Sequence, residues 1–551
     1  MHLEGLLLED RKGDTLLYAG DLKIRITDWF FFKKKAELKY IGLDNALIRF
    51  QRQDSVWSQQ FLFDYFSPPP SSTKTNKKGI AFSLQKAELN NVVFEKKDTW
   101  LGEDLSAFAG KLLLDADDLQ LSGNTFNINS LSIDKPIVKI RSYERLKPRS
   151  TASSEDDTGP ESWNNKSVLK IKSLAISNGT FSTDKESGEE PLSYFDGKHI
   201  LVTNINGLFA NTVFAGDSIL SQVKLKAEER SGLELKNLTA NFKMTPQEMT
   251  FADMELVTNR STIRNYYSMS YNSMKDLGDY INKVNMQAVF DDSYVDSDDI
   301  AFFAPALSSW KKKIKLQGKV RGTVNEMIGR DMVVESGNST MLNGDISLSG
   351  LPDIERTFID FRANDFRTTY GDAVTIVPSL RRVTSPDLRQ MQYISFKGSF
   401  TGFIRDFVTY GTITTNLGTV VSDLNMKLPA GQPPAYSGNI ATENFSLGRF
   451  LGNNEIGNIS MKGTVKGRGF TSDTRNTLLD GDIRFIDYNG YRFNEITLNG
   501  TLIKNLFSGT GYIRDQNLEM DMNGTINLLA AKPGFDLTAD VHYSNFKNLN
   551  L

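Results

Sequence analysis

Ile314-Lys315-Leu316-Gln317-Gly318-Lys319-Val320-Arg321-Gly322-Thr323-Val324 alternates residue by residue, apolar or glycine on one side and polar on the other. Side chains leave a β-strand on alternate faces, so this phase predicts a strand with one face turned away from water. Leu537-Thr538-Ala539-Asp540-Val541-His542-Tyr543-Ser544 and Ile359-Asp360-Phe361-Arg362-Ala363-Asn364 repeat it, and the alternation returns over most of the chain. The expected fold class is all-β.

Two kinds of repetition refine that expectation. The opening stretch contains a unit, apolar-x-apolar-x-Gly-x-apolar, that returns as ISFKGSF from Ile394, ISMKGTV from Ile459, ITLNGTL from Ile496 and MDMNGTI from Met520. A glycine inside each strand predicts a bend, a bulge or a curved sheet. The first half carries four related octets: LDNALIRF from Leu43, LNNVVFEK from Leu89, IDKPIVKI from Ile133 and ISNGTFST from Ile176. Their starts lie 46, 44 and 43 residues apart. Recurrence of one supersecondary unit favours an elongated stack of irregular repeats over separate globules.

Punctuation between the strands is dense. Asn-Gly occurs at Asn178, Asn206, Asn343, Asn489, Asn499 and Asn523, and Asp-Gly at Asp196 and Asp480. Both residues of such pairs accept positive φ, so they are read as tight hairpins; Asn178-Gly179-Thr180 also fits a glycosylation sequon. Short helices are expected at Lys275 to Lys283, at Asp298 to Phe303 and at Ser446 to Leu451. Ser67 to Lys78 and Arg145 to Lys166 read as exposed polar loops. The second divides the chain into an N-terminal repeat region over 1–144, a flexible polar loop over 145–166 and a continuing β region over 167–551.

Composition removes most chemistry. The 551 residues carry 64 basic and 67 acidic side chains, a net charge of −3 that argues against nucleic acid as a partner. Cysteine is absent and the only histidines are His2, His199 and His542, which leaves no thiolate site and little for a triad or a multi-histidine metal centre. The sequence lacks GxxxxGK[ST], HExxH and GxSxG, and Gly463 to Gly469 sits in strand context with no helix behind it. Asp115-Ala116-Asp117-Asp118 and Asp296-Ser297-Asp298-Asp299 lack the glycine and distal glutamate of a calcium loop, and are read as turns or helix caps. No catalytic residue, metal or cofactor is expected. Against this stand 35 phenylalanines.

Membrane signals are few. No stretch reaches the ~18–20 apolar residues of a spanning helix, and the N-terminus has no signal-peptide pattern. The last residues, Asn545 to Leu551, follow a strand pattern without a cap, so the chain reads as a piece of a longer one. Trp29-Phe30-Phe31-Phe32, followed by Lys33-Lys34-Lys35, fits a membrane interface or, more simply, a buried strand end. Lys311-Lys312-Lys313, continued by Lys315, Lys319 and Arg321, fits a headgroup contact or a solvated face that deters edge pairing.

The segment from Glu9 to Ser55, GSFTGFIRDFVTYGTITTNLGT from Gly398, and YNGYRFNEITLNGTL with the GTGYIRDQNLEMDMNGTINL that follows it resemble AsmA-like envelope proteins, most closely the TamB-like branch of Bacteroidota. The resemblance covers nearly the whole chain, through β patterns rather than a catalytic signature. It implies an elongated, curled antiparallel β-sheet trough with an apolar inside, in the periplasm. It also implies an inner-membrane anchor and a C-terminal domain, neither of which this sequence shows. The implied role is bridge-like transfer of phospholipids between inner and outer membranes, with support of outer-membrane protein assembly beside a BamA-type insertase.

Such a role needs no acid, base or metal. Two lipid tails of about 15 carbons would cost on the order of 20 kcal/mol or more to expose, at about 0.8 kcal/mol per methylene. An apolar trough of ~30–40 strands would extend on the order of 150 Å. Strand phase assigns Ile314, Leu316, Val320, Met461, Val465, Ile496, Leu498, Val541 and Tyr543 to its lining. The competing class is a structural or adhesive β-repeat protein with closed cores, because a closed core gives the same alternation. A carbohydrate-active enzyme comes third, and would need paired carboxylates of raised pKa in a cleft.

Overall fold

The computed structural model describes residues 1–26, 35–52, 54, 56–62, 81–120, 124–144, 167–185, 192–305, 308, 311–376, 380–381, 387–471, 473–527 and 534–549. These form 27 strands with a few short helices, and the fold is all-β. The chain falls into two units, Met1–Asp279 with Val295–Ser309, and Tyr280–Tyr294 with Trp310–Leu551.

The first unit is a ladder of twelve strands, from His2–Glu9 to Thr262–Ser270, in which each strand pairs with its neighbours in sequence. Two of its pairings are parallel, a departure from the antiparallel expectation: Lys35–Arg52 with Ala81–Asp98, and Thr125–Ser142 with Val168–Lys185. Parallel neighbours need a long crossover, because the chain must return to the same end before the next strand starts. The polar stretches Ser67 to Lys78 and Arg145 to Lys166 fall in those two connections and lie outside the described residues. Trp29 to Lys34 lies outside them too, as do the side chains of Lys35 to Glu37.

In the second unit fourteen strands, from Lys313–Gly322 to Gly534–Ser544, form a ladder, each antiparallel to the next; the remaining strand is Asn285–Asp296. In neither unit does the first strand pair with the last among the described residues, so each ladder is open.

The expected helices are present as Met274–Asp279 and Tyr280–Lys283, Ser297–Ala301 and Leu447–Leu451. Asp296 caps the third, its side chain accepting from the Asp298 amide at 2.9 Å. A helix at Tyr370–Ile376 was not expected; its run is short and has no apolar period. Asp115 to Asp118, read as a turn or cap, lie instead inside the strand Glu103–Gln120.

The hairpin reading of the glycine pairs is corrected at seven of eight sites. Asn489-Gly490 is a two-residue hairpin, whereas Asp196-Gly197 belongs to a turn that leads into the strand His199–Ala215. Asn178, Asn206, Asn343, Asp480, Asn499 and Asn523 lie within strands. At Gly344, Gly481, Gly500 and Gly524 the missing side chain lets a neighbouring backbone approach: a Cβ on Gly344 would sit 2.0 Å from the Arg362 carbonyl oxygen of the next strand. Two residues are needed to turn a chain, but one missing Cβ suffices for close approach.

Candidate functional site

Residues directly opposite on paired strands project from the same face of a sheet. Following the register across the first unit joins Leu3, Leu22, Leu43, Leu89, Leu112 and Ile133, then Ile176, Gly207, Leu225, Leu238, Leu256 and Ile263. One apolar residue or glycine comes from every strand. At Gly207 the Phe209 ring takes the space, 2.6 Å from where a Cβ would stand. At roughly 4.8 Å per strand the row runs about 50 Å.

The octets of the sequence are the origin of this row, since Leu43, Leu89, Ile133 and Ile176 all belong to it. Their third residues, Asn45, Asn91, Lys135 and Asn178, have φ of 54°, 53°, 51° and 56°. Each adds one residue to its strand, a bulge that bends it. The extra residue brings Ala46 and Val92 to the face already held by Leu43 and Leu89, where they pack with Ala19 and Leu6. The bulges are tied to one another: Asn91 Nδ2 donates to Asn45 Oδ1 at 3.2 Å, and Asn178 Nδ2 to Asp134 Oδ1 at 3.0 Å. A strand that bends while its neighbour runs straight loses its pairing, so the bulges recur at the octet spacing.

The second unit repeats the design without the octets. Its register joins Leu316, Val334, Leu342, Phe366, Phe396, Ile413 and Val420, then Thr442, Met461, Ile483, Ile496, Ile513, Met520 and Val541. Beside it runs a row of small residues that includes Gly344, Ala363, Gly398 and Gly411.

Burial separates open from covered stretches of these rows. From Leu22 to Ile263, every leucine and isoleucine of the first row is half-buried, as are Leu316 to Met461 in the second. A facing layer would have removed them from water. Ile483, Ile496 and Ile513, by contrast, are buried beside Phe445 and Leu549, with Leu447, Phe450 and Met391 packed against them. There the helix Leu447–Leu451 covers the row.

The opposite face is polar and cross-linked. Lys23 meets Asp44 at 3.2 Å, Lys111 meets Glu88 at 3.5 Å and Arg330 meets Asp345 at 3.0 Å. A hydrogen bond from Asn90, joined by that of Lys23, holds Asp44 below the usual carboxylate range. Exposed pairs of this kind fix little stability and serve chiefly to keep the face wet. The Lys311 to Lys313 run is engaged too: Lys312 Nζ donates to Thr375 Oγ1 at 2.9 Å, and Lys313 lies 4.8 Å from the Tyr294 ring centre.

The residues singled out by strand phase divide in the same way. Leu316, Met461, Ile496 and Val541 share the second row. Val320, Val465 and Leu498 lie in adjacent rows, Val465 opposite Gly438 and Leu498 opposite Gly481. Ile314 instead stands opposite Ser336, in a row of hydroxyl residues. A register shift after Val541 sets Tyr543 opposite Glu519, out of the row. Met461 and Leu498 pack against the covered cluster, and Ile496 is part of it. Sequence reasoning missed Leu342, Phe366, Phe396 and Ile413, whose strands alternate as well but were not singled out.

Among the described residues one group could hold a cation, the exposed His2 and Glu4 with the half-buried Asp21. His2 Nε2 lies 2.6 Å from Asp21 Oδ1, which an ordinary histidine–aspartate contact explains. No described helix is long and apolar enough to cross a membrane.

No family model, no curated protein and no solved structure matches this chain.

Proposed function

We propose that the apolar rows hold lipid acyl chains, and that the protein conducts phospholipids between the two membranes of a bacterial cell envelope. The observation that carries this reading is the half-buried state of the rows over strand after strand. An acyl chain laid along such a row leaves water at about 0.8 kcal/mol per methylene, and no single site holds it so tightly that it cannot move on. The head group would stay on the wet side. The resemblance to TamB-like proteins supports the same reading and extends it to a periplasmic location, an inner-membrane anchor and a BamA-type partner.

A second reading has its own support. The covered cluster around Ile483, Ile496 and Ile513 is an ordinary closed core, as a structural or adhesive β-repeat protein would have throughout.

Purification of the chain without detergent, followed by mass spectrometry of bound lipid, tests between them. The conduit reading predicts co-purifying phospholipid, reduced several-fold by Leu342→Asp with Phe396→Asp while the β-sheet circular dichroism is retained. Absence of lipid, or equal lipid on the variant, would favour the structural reading.

A further inference from the structure

In each unit a short helix packs against an apolar row, and the two contacts differ. Beside Leu447–Leu451 the row is sealed, with Ile483, Ile496 and Ile513 buried. Beside Ser297–Ala301 it is not: Leu235, Leu256 and Ile263 stay half-buried, as does Ile300 of the helix itself. The space left among them is a cavity of about 420 Å³, walled also by Ala227 and Phe303. Its size is that of a small-ligand pocket.

Two fastenings hold the helix in this position. Asp299 Oδ2 accepts from Thr258 Oγ1 at 2.5 Å and from the Arg260 and Ser261 amides at 3.0 and 2.8 Å, which clamps the turn before the last strand. Beyond the helix Phe302 O accepts from the Phe195 amide at 2.9 Å, and the Phe195 and Phe303 rings meet at 5.2 Å. The polar neighbours of the cavity are engaged in such bonds. Ser261 Oγ accepts from the Asp296 amide at 2.9 Å, and Glu229 Oε2 accepts from the Ser231 amide and hydroxyl. What faces the cavity is therefore almost entirely hydrocarbon. Water held in a cavity needs several polar partners, so a cavity of this kind suits an apolar guest.

We propose that this cavity seats the end of one hydrocarbon chain, methyl first, with any polar group left outside beside Phe303, which is 57% exposed. Leu256 and Ile263 end the first row and also wall the cavity, so a tail lying along that row runs into it. The choice of an acyl tail as occupant rests on the acyl reading of the rows, whereas the rejection of polar ligands follows from the cavity wall.

Calorimetric titration of the full chain with decanol, and with the diol that carries a hydroxyl at each end of the same chain, tests it. Decanol should bind once per chain and at least about tenfold more tightly than the diol, because the diol must bury a hydroxyl that finds no partner. On an open row both ends of a chain stay wet, and the two compounds should bind alike. Ala227→Phe, which fills the cavity, should remove the tight site, while Leu342→Asp with Phe396→Asp in the second unit should leave it. No tight decanol site, equal binding of alcohol and diol, a site unchanged in Ala227→Phe or a site lost in the second-unit variant would each overturn the proposal. Should Ala227→Phe fail to fold, the alcohol and the diol decide on the unaltered chain. A chain that seats decanol in this way yet carries no phospholipid would keep the seat and remove the conduit. Bound phospholipid without the decanol seat would remove the seat alone.

Discussion

Asp331 sits at φ 52°, a backbone region that few residues other than glycine, asparagine and aspartate adopt, and it is held there from the next strand. Asp345 accepts its amide at 3.0 Å and the Arg330 guanidinium at 3.0 Å, and those bonds, the amide first, depress the Asp345 pKa. A depressed carboxylate stabilises the fold fully above its unfolded pKa, near 3.9, and that contribution is lost as pH falls through the lower folded value. Thermal melts should therefore show Asp345→Asn less stable than the parent at pH 7, with the gap closing below about pH 4. A gap that is constant with pH would remove the charge from the explanation. Asn91, at φ 53° in the octet bulge, makes a related case. Asn91→Val should cost about 1–2 kcal/mol in chemical unfolding, because a β-branched residue is strained at positive φ and the bond to Asn45 is lost.

The strand is the level at which sequence and structure agree best, and the disagreements are physical. Alternation placed Leu316, Val320 and Val465 on one face because nothing but strand period is needed to do so. Ile314 shares the face of Leu316 but stands opposite hydroxyls supplied by the partner strands, and a register shift, which local sequence does not encode, sets Tyr543 outside the row. The octets were visible, but their third residue, asparagine in three and Lys135 in the other, was not legible as a bulge that neighbouring strands must copy. Asn-Gly misled because a glycine mid-strand and a glycine in a turn are chemically the same. Gly398 shows the mid-strand use: a Cβ there would stand 2.1 Å from the Tyr410 carbonyl oxygen. Gly398→Ala should cost about 1–3 kcal/mol by forcing two strands apart. An unchanged unfolding midpoint would mean that the small-residue row is not needed for close pairing.

At the scale of the whole molecule, two open ladders each present apolar residues in register from strand to strand, over a face whose reverse is tied by ion pairs. Neither cysteine nor a histidine cluster is needed for a surface of that kind, which accounts for a chain rich in phenylalanine and poor in reactive groups. From Leu22 to Ile263 and from Leu316 to Met461 the apolar side chains of the rows are half-buried, whereas beside the helix Leu447–Leu451 they are buried, and the openness of the former stretches is the property on which the proposed acyl binding depends. The most direct test replaces single residues by a photo-crosslinking amino acid and reads lipid adducts in an envelope-membrane mixture, at the row residues Leu342, Phe396 and Ile413 and at their chain neighbours Asn343, Lys397 and Thr412. Adducts at the first three and not at the second three, an alternation that follows the strand, are what acyl binding along the rows predicts. Adducts at both sets, or at neither, would contradict it.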